Sequence, residues 1–320
     1  MMLFTITIAL VPLNLLYHST NRYVNEHYEI SKFLNVPSSI EFANFGSSHG
    51  QLGFYYEENE MNSFNFALSS QTPEYDLMLL KEYIDHFEEG ATLVFPISYF
   101  TPYLFPRRHD FEFEVRNKRY YHILSPKNII KFDVFEQISE KASFLNGRDL
   151  LNIGAIQHDD LILDELMLSQ GNFPLKEWDF GGVKSKLDLQ NDAYVRWEYW
   201  TQFRANIYMN QTGTVSKEII ETYQNIIDIC KANNLNPVFV TLPVSSELNN
   251  VVDPIFYPIF VKDMQQMINE LGSPIYFDYS HLKPISSNDS YFIDTDHLSK
   301  VGAMRMTEII KQDLKILNEN

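Results

Sequence analysis

Two remote stretches carry residue types that can do chemistry together. Near the start, Phe45-Gly46-Ser47-Ser48-His49-Gly50 follows an alternating run, Ile40 to Phe45, and precedes Gln51-Leu52-Gly53-Phe54-Tyr55-Tyr56. Small residues followed by a hydroxyl at a strand-to-helix switch expose a nucleophile where backbone N–H groups can meet an oxyanion. Near the end, Asp294 and His297 stand three apart in Phe292-Ile293-Asp294-Thr295-Asp296-His297-Leu298. A serine hydroxyl is a weak nucleophile at neutral pH; an imidazole takes its proton, and a carboxylate fixes the imidazole tautomer. The expected roles are therefore Ser48 as nucleophile, His297 as base and Asp294 as orienter. Ser47 is the alternative nucleophile. Asp296 is the rival orienter, or else a cap for the helix that follows. His49 is either a hydrogen-bonding member of the site or a structural partner of the glycine turn.

The elements that must position these residues read as alternating strands and helices. Strands are expected at 40–45, 63–67, 91–98, 236–243 and 274–278, and helices at 74–84, 215–234, 254–271 and 299–317. Pro73 suits a helix first turn, and Gly90 punctuates the stretch before the third strand. Strand, helix, strand repetition predicts an α/β fold whose parallel sheet is covered on both faces. Ligands in such sheets collect beyond the carboxyl ends of the strands. Between about 99 and 213 the rhythm is lost, and this stretch reads as an inserted lobe. It contains a cationic and aromatic cluster (Arg107, Arg108, His109, Arg116, Lys118, Arg119), readable as a lid or groove for a sugar or an anionic polymer or as an ordinary surface insertion, and Trp178, Trp197 and Trp200, readable as sugar platforms or as core.

Residues 1–17 carry no charge and are expected to form an uncleaved N-terminal membrane anchor, the alternative being an apolar segment buried in the fold. Residues 18–39 read as a connector, and 40–320 as the main domain. The 320 residues hold 25 Lys and Arg against 42 Asp and Glu, a formal charge of -17, which argues against general nucleic-acid binding. The single cysteine, Cys230, excludes an intrachain disulfide and reads as a buried thiol. No helix-spaced metal-ligand motif is present; His281 and His297 lack such partners, and neither metal nor other cofactor is expected.

This arrangement resembles the SGNH/GDSL hydrolase superfamily over roughly residues 40–100 and 214–318. Gly46-Ser47-Ser48 stands where that family has Gly-Asp-Ser, so Ser47 replaces the aspartate. Asp294 and His297 match its Asp-x-x-His, with Gly302 following. Asn65 to Thr72 looks like its second block, with Ser70 where a glycine N–H normally serves the oxyanion. The third block, Gly-x-Asn-Asp, is replaced by Pro96-Ile97-Ser98-Tyr99-Phe100; loss of such a donor costs roughly a hundredfold to a thousandfold in rate, and Ser98 or Tyr99 is the candidate substitute. The resemblance implies a flavodoxin-like three-layer sandwich, with the N–H groups of Ser48 and Ser70 as oxyanion donors. The variant start and the apolar N-terminus look more like membrane-tethered acyltransferases of envelope polymers, of the lipoteichoic-acid D-alanylation and alginate acetylation type. The implied function is a serine acyltransferase or esterase, membrane-anchored and extracytoplasmic in a bacterial envelope. It would act on an acylated glycan or polymer, with a membrane-bound acyl-transfer protein as a further partner. The alternative is a degenerate member that binds glycan or scaffolds an envelope-modification complex without turnover.

Overall fold

The computed structural model describes residues 28–57, 62–103, 117–141, 172, 186–208, 215–252, 254 and 256–319. In chain order its elements are α1 (Tyr28–Ser31), β1 (Ile40–Asn44), α2 (Ser48–Gly53), β2 (Ser63–Asn65), α3 (Pro73–Glu82), β3 (Phe87–Pro96) and α4 (Val134–Lys141). There follow α5 (Lys186–Tyr208), α6 (Lys217–Ala232), β4 (Asn236–Thr241), α7 (Ser246–Val252), α8 (Tyr257–Glu270), β5 (Ile275–Asp278), α9 (Lys283–Ser286) and α10 (Lys300–Glu319). The five strands form one parallel sheet in the order β2-β1-β3-β4-β5. The architecture is an α/β sandwich.

Buried residues of both parities explain why β1 to β4 read as continuous apolar runs. On one face Phe42, Val94, Val238 and Val240 join Ala303, Met306 and Ile310 of α10 in one core. On the other, Phe239 meets Tyr223 of α6 edge-on at 5.2 Å. Under the turn after β1, the Phe45 ring is stacked between Phe66 (5.0 Å, 9°) and Phe95 (4.8 Å, 11°). Cys230 is fully buried, and burial pushes its thiol up to about 12, as its reading as an inert core residue requires.

Two local differences from the sequence reading have physical causes. β3 starts at Phe87 and runs through Gly90, whose φ of 85° admits an irregularity: Ile40 pairs with Phe87, but Phe42 pairs with Thr92. The stretch that had no visible rhythm contains the 23-residue α5. Its apolar residues do not share one face: Leu189 and Ala193 are buried, while Leu187, Tyr194 and Val195 are exposed.

The chain divides into two compact units, 37–107 with 170–320 and 1–36 with 108–169. The first carries the sheet. In the second, Arg119 pairs with Glu29 at 3.4 Å and Asn117 donates to the Ile130 carbonyl at 2.7 Å. Of the cationic cluster, Lys118 and Arg119 belong to this unit, whereas residues 104–116 and Trp178 lie outside the described residues.

The expectation of a membrane partner and a membrane-anchored location is corrected. Among the described residues no helix is long and apolar enough to cross a membrane. Residues 1–17, on which that expectation rested, lie outside the described residues.

Candidate functional site

Ser48 opens α2, so its position depends on how that short helix is held. A six-residue helix leaves most of its carbonyls without intrahelical donors. Two buried asparagines at the ends of β1 and β2 supply them: Asn44 Nδ2 donates to the Gly50 carbonyl at 2.9 Å, and Asn65 Nδ2 to that of Gln51 at 3.1 Å. The two amides are tied together at 3.1 Å, and Tyr56 Oη donates to Asn44 Oδ1 at 2.8 Å. Gly50 must lack a side chain, because a Cβ there would stand 2.2 Å from the Phe45 carbonyl oxygen.

The loop before α10 delivers the other groups. Ile293 N–H donates to the His297 carbonyl at 3.0 Å, across the pairing of Phe292 with Leu298. Asp294 Oδ1 accepts from the backbone N–H groups of Asp296 (3.0 Å) and His297 (2.7 Å), closing the loop on itself. From α5, Asp192 accepts the Thr295 N–H at 2.8 Å, and one turn on Arg196 lies 3.3 Å from Asp294 Oδ2 and 3.0 Å from Asp296 Oδ1. Ser299, rather than Asp296, meets the start of α10, accepting from the Gly302 N–H at 3.3 Å.

These elements bring the sequence-predicted residues together. His297 Nε2 stands 2.9 Å from Ser48 Oγ, and Nδ1 2.8 Å from Asp294 Oδ2. His49 lies beside them, its ring stacked on that of His297 at 4.9 Å, its Nδ1 2.6 Å from Ser98 Oγ and its Nε2 3.2 Å from Asp296 Oδ2. Other candidates are placed differently. Ser47 is the residue before α2, and its carbonyl accepts from Gln51 N–H at 2.9 Å. Ser70 is exposed with φ 56°, the left-handed backbone that a serine in a glycine's place needs. Tyr99 is buried, its hydroxyl 3.3 Å from Asn249 Oδ1 and its ring against Phe260 at 4.8 Å. Ser98 is engaged by His49.

The chemistry assigned to these groups is what the structure corrects. His297 does not stand between one serine and one carboxylate alone, because Asp296 Oδ1 is a second carboxylate oxygen 3.5 Å from its Nδ1. It belongs to a His49–Asp296–His297 cluster whose ligand-type atoms all lie within 4.8 Å of one another, assembled across the whole chain and therefore invisible to linear spacing. Burial lowers the His297 pKa, but the Asp296 charge and the hydrogen bond and charge of Asp294 outweigh it, against Arg196, and carry it up to about 9. The two carboxylates therefore favour the charged imidazole, and the Arg196 guanidinium opposes them. Asp296, only 3% exposed, is the counter-ion: burial would raise its carboxyl, and His297, His49 and Arg196 together hold it well below the usual carboxylate range. The serine acyltransferase or esterase reading is accordingly replaced by a metal-binding or structural cluster.

Beside it, a small cleft at the ends of β3 and β4 is lined by His49, Pro96, Ile97, Ser98, Tyr99, Thr241, Leu242 and Val244. No family model matches this chain, and no curated protein matches it.

Proposed function

We propose that the chain is a non-catalytic glycan-binding or scaffold protein built on an SGNH-like fold. The strand order β2-β1-β3-β4-β5, which flavodoxin-like sheets also have, and the Gly46-Ser47-Ser48 and Asp294-x-x-His297 positions support the superfamily resemblance. The observation that carries the non-catalytic reading is the His49–Asp296–His297 cluster, in which the imidazole next to Ser48 is shared with a second, buried carboxylate. Serine, imidazole, guanidinium and carboxylate groups at the carboxyl ends of the strands offer both donors and acceptors to a polyhydroxylated ligand.

Equilibrium binding to acylated and deacylated polysaccharides, with released acetate or D-alanine measured alongside, tests this. Ser48→Ala, which loses one donor and acceptor, is expected to bind a few-fold more weakly than the wild type (about 1 kcal/mol), and neither is expected to release anything above buffer. Release by the wild type that disappears in Ser48→Ala, or fluorophosphonate labelling of Ser48, would overturn the proposal.

The same cluster favours a second reading, a divalent cation held by His49, Asp296 and His297. Ligand atoms around a tetrahedral zinc sit about 3.4 Å apart, and the three ligand-type atoms here lie within 4.8 Å of one another, so the side chains would have to draw in around an ion. Binding would have to displace the His297 proton and move the Arg196 guanidinium off Asp296, so uptake should strengthen between pH 7 and 9. Calorimetric titration with zinc is expected to give one site that both His49→Ala and Asp296→Asn abolish. No uptake at either pH excludes this second reading.

A further inference from the structure

A second buried acidic group lies behind the turn that presents Ser48. Asp76, in the first turn of α3, is 2% exposed, and its Oδ1 accepts from the Gly46 N–H at 2.9 Å and from Gln71 Nε2 at 2.6 Å. The Gly46 carbonyl accepts from the Leu68 N–H at 3.1 Å. Gly46 has φ 106°, and a Cβ on it would come 3.3 Å from Pro96 Cδ. Both polar groups of this one glycine are thus held from the β2–α3 side, two residues before the serine hydroxyl that meets His297.

We propose that Asp76 is the positioning residue of the site: by accepting the Gly46 N–H, its carboxylate sets the turn that delivers Ser48 to His297. This rests on the proposed function only in taking the Ser48 hydroxyl and its imidazole partner as part of the ligand site. A carboxylate accepts these bonds in charge-assisted form, and protonation leaves weaker neutral ones. The titratable groups facing Asp76 are Glu74 on its own helix and Tyr223 on α6; both are buried, and neither supplies a positive charge. Burial raises the Asp76 carboxyl to about 7, against the Gln71 and Gly46 hydrogen bonds and with a further push from Glu74. The Gly46 turn is therefore held more firmly above neutral pH than below it.

Amide and imidazole NMR of the full chain tests this without any ligand, so its failure is distinguishable from failure of the glycan-binding reading. In the wild type the Gly46 amide should shift with a midpoint near pH 7, and the His297 ring protons should show a step at that same midpoint, separate from their own titration. Asp76→Asn, which keeps the shape and an acceptor oxygen, should abolish both steps while thermal unfolding stays cooperative. A Gly46 amide that does not move between pH 5.5 and 8.5 overturns the proposal. So does the same step persisting in Asp76→Asn, or a Gly46 step that His297 does not follow.

Discussion

Raising the pH from 6 to 9.5 is expected to remove on the order of 2–3 kcal/mol of stability that the wild type has over a His297→Asn variant. The sign follows from the direction of the shift. The imidazole goes from an ordinary 6.5 when unfolded to about 9 when folded, so between these values the folded chain holds a proton that the unfolded chain has released. The contribution is complete below 6.5 and disappears as pH passes 9. Its source is the charge of Asp296 and the bond and charge of Asp294, which exceed the cost of burial and the opposition of Arg196. Urea unfolding of both proteins at half-unit pH intervals gives the difference directly. A gap that stays constant from pH 6 to 9.5 would mean that the carboxylates around His297 do not hold it protonated in the folded chain.

Gly50→Ala is expected to cost about 3 kcal/mol, at the upper end of overpacking penalties. The added methyl would meet the Phe45 carbonyl oxygen at 2.2 Å and Ala67 Cβ at 3.0 Å. The first obstacle is backbone and cannot rotate away. The second belongs to the segment after β2, which is tied to α2 through Asn65. Relief requires α2 to lift from the turn, breaking the Asn44 bond to the Gly50 carbonyl and drawing Ser48 away from His297. Chemical denaturation measures the cost, and loss of the Ser48-dependent shift of the His297 ring in NMR measures the displacement. A variant with wild-type stability and an unchanged ring shift would show that α2 is not packed as described.

Much of the sheet was legible because its strands, buried on both faces in β1 to β4 and half-exposed in the edge strand β5, leave short apolar runs between helical periods. Ile40–Asn44, Asn236–Thr241 and Ile275–Asp278 lie where the pattern placed them, and Pro73 opens α3 as its missing N–H favours. The convergence of Ser48 and His297 was likewise readable from the two remote motifs. What escaped was the company those groups keep. α5 has no single apolar face, so neither it nor the Asp192 and Arg196 it sends to the loop left a periodic signal. Asp296 could be weighed only as a neighbour of His297, because its contact with His49 spans nearly the whole chain. The asparagine pair under α2 is polar and fully buried, the kind of residue that composition assigns to surfaces until its partners are seen.

The triple stack of Phe66, Phe45 and Phe95 also decides where the chain leaves the sheet. Phe45 is gripped on both sides, and the turn falls on the next residue, Gly46, at φ 106°. Beyond it Ser48 and His49 are consecutive residues of one short helix, so a hydroxyl and an imidazole reach the loop of Asp296 and His297 as a single rigid delivery.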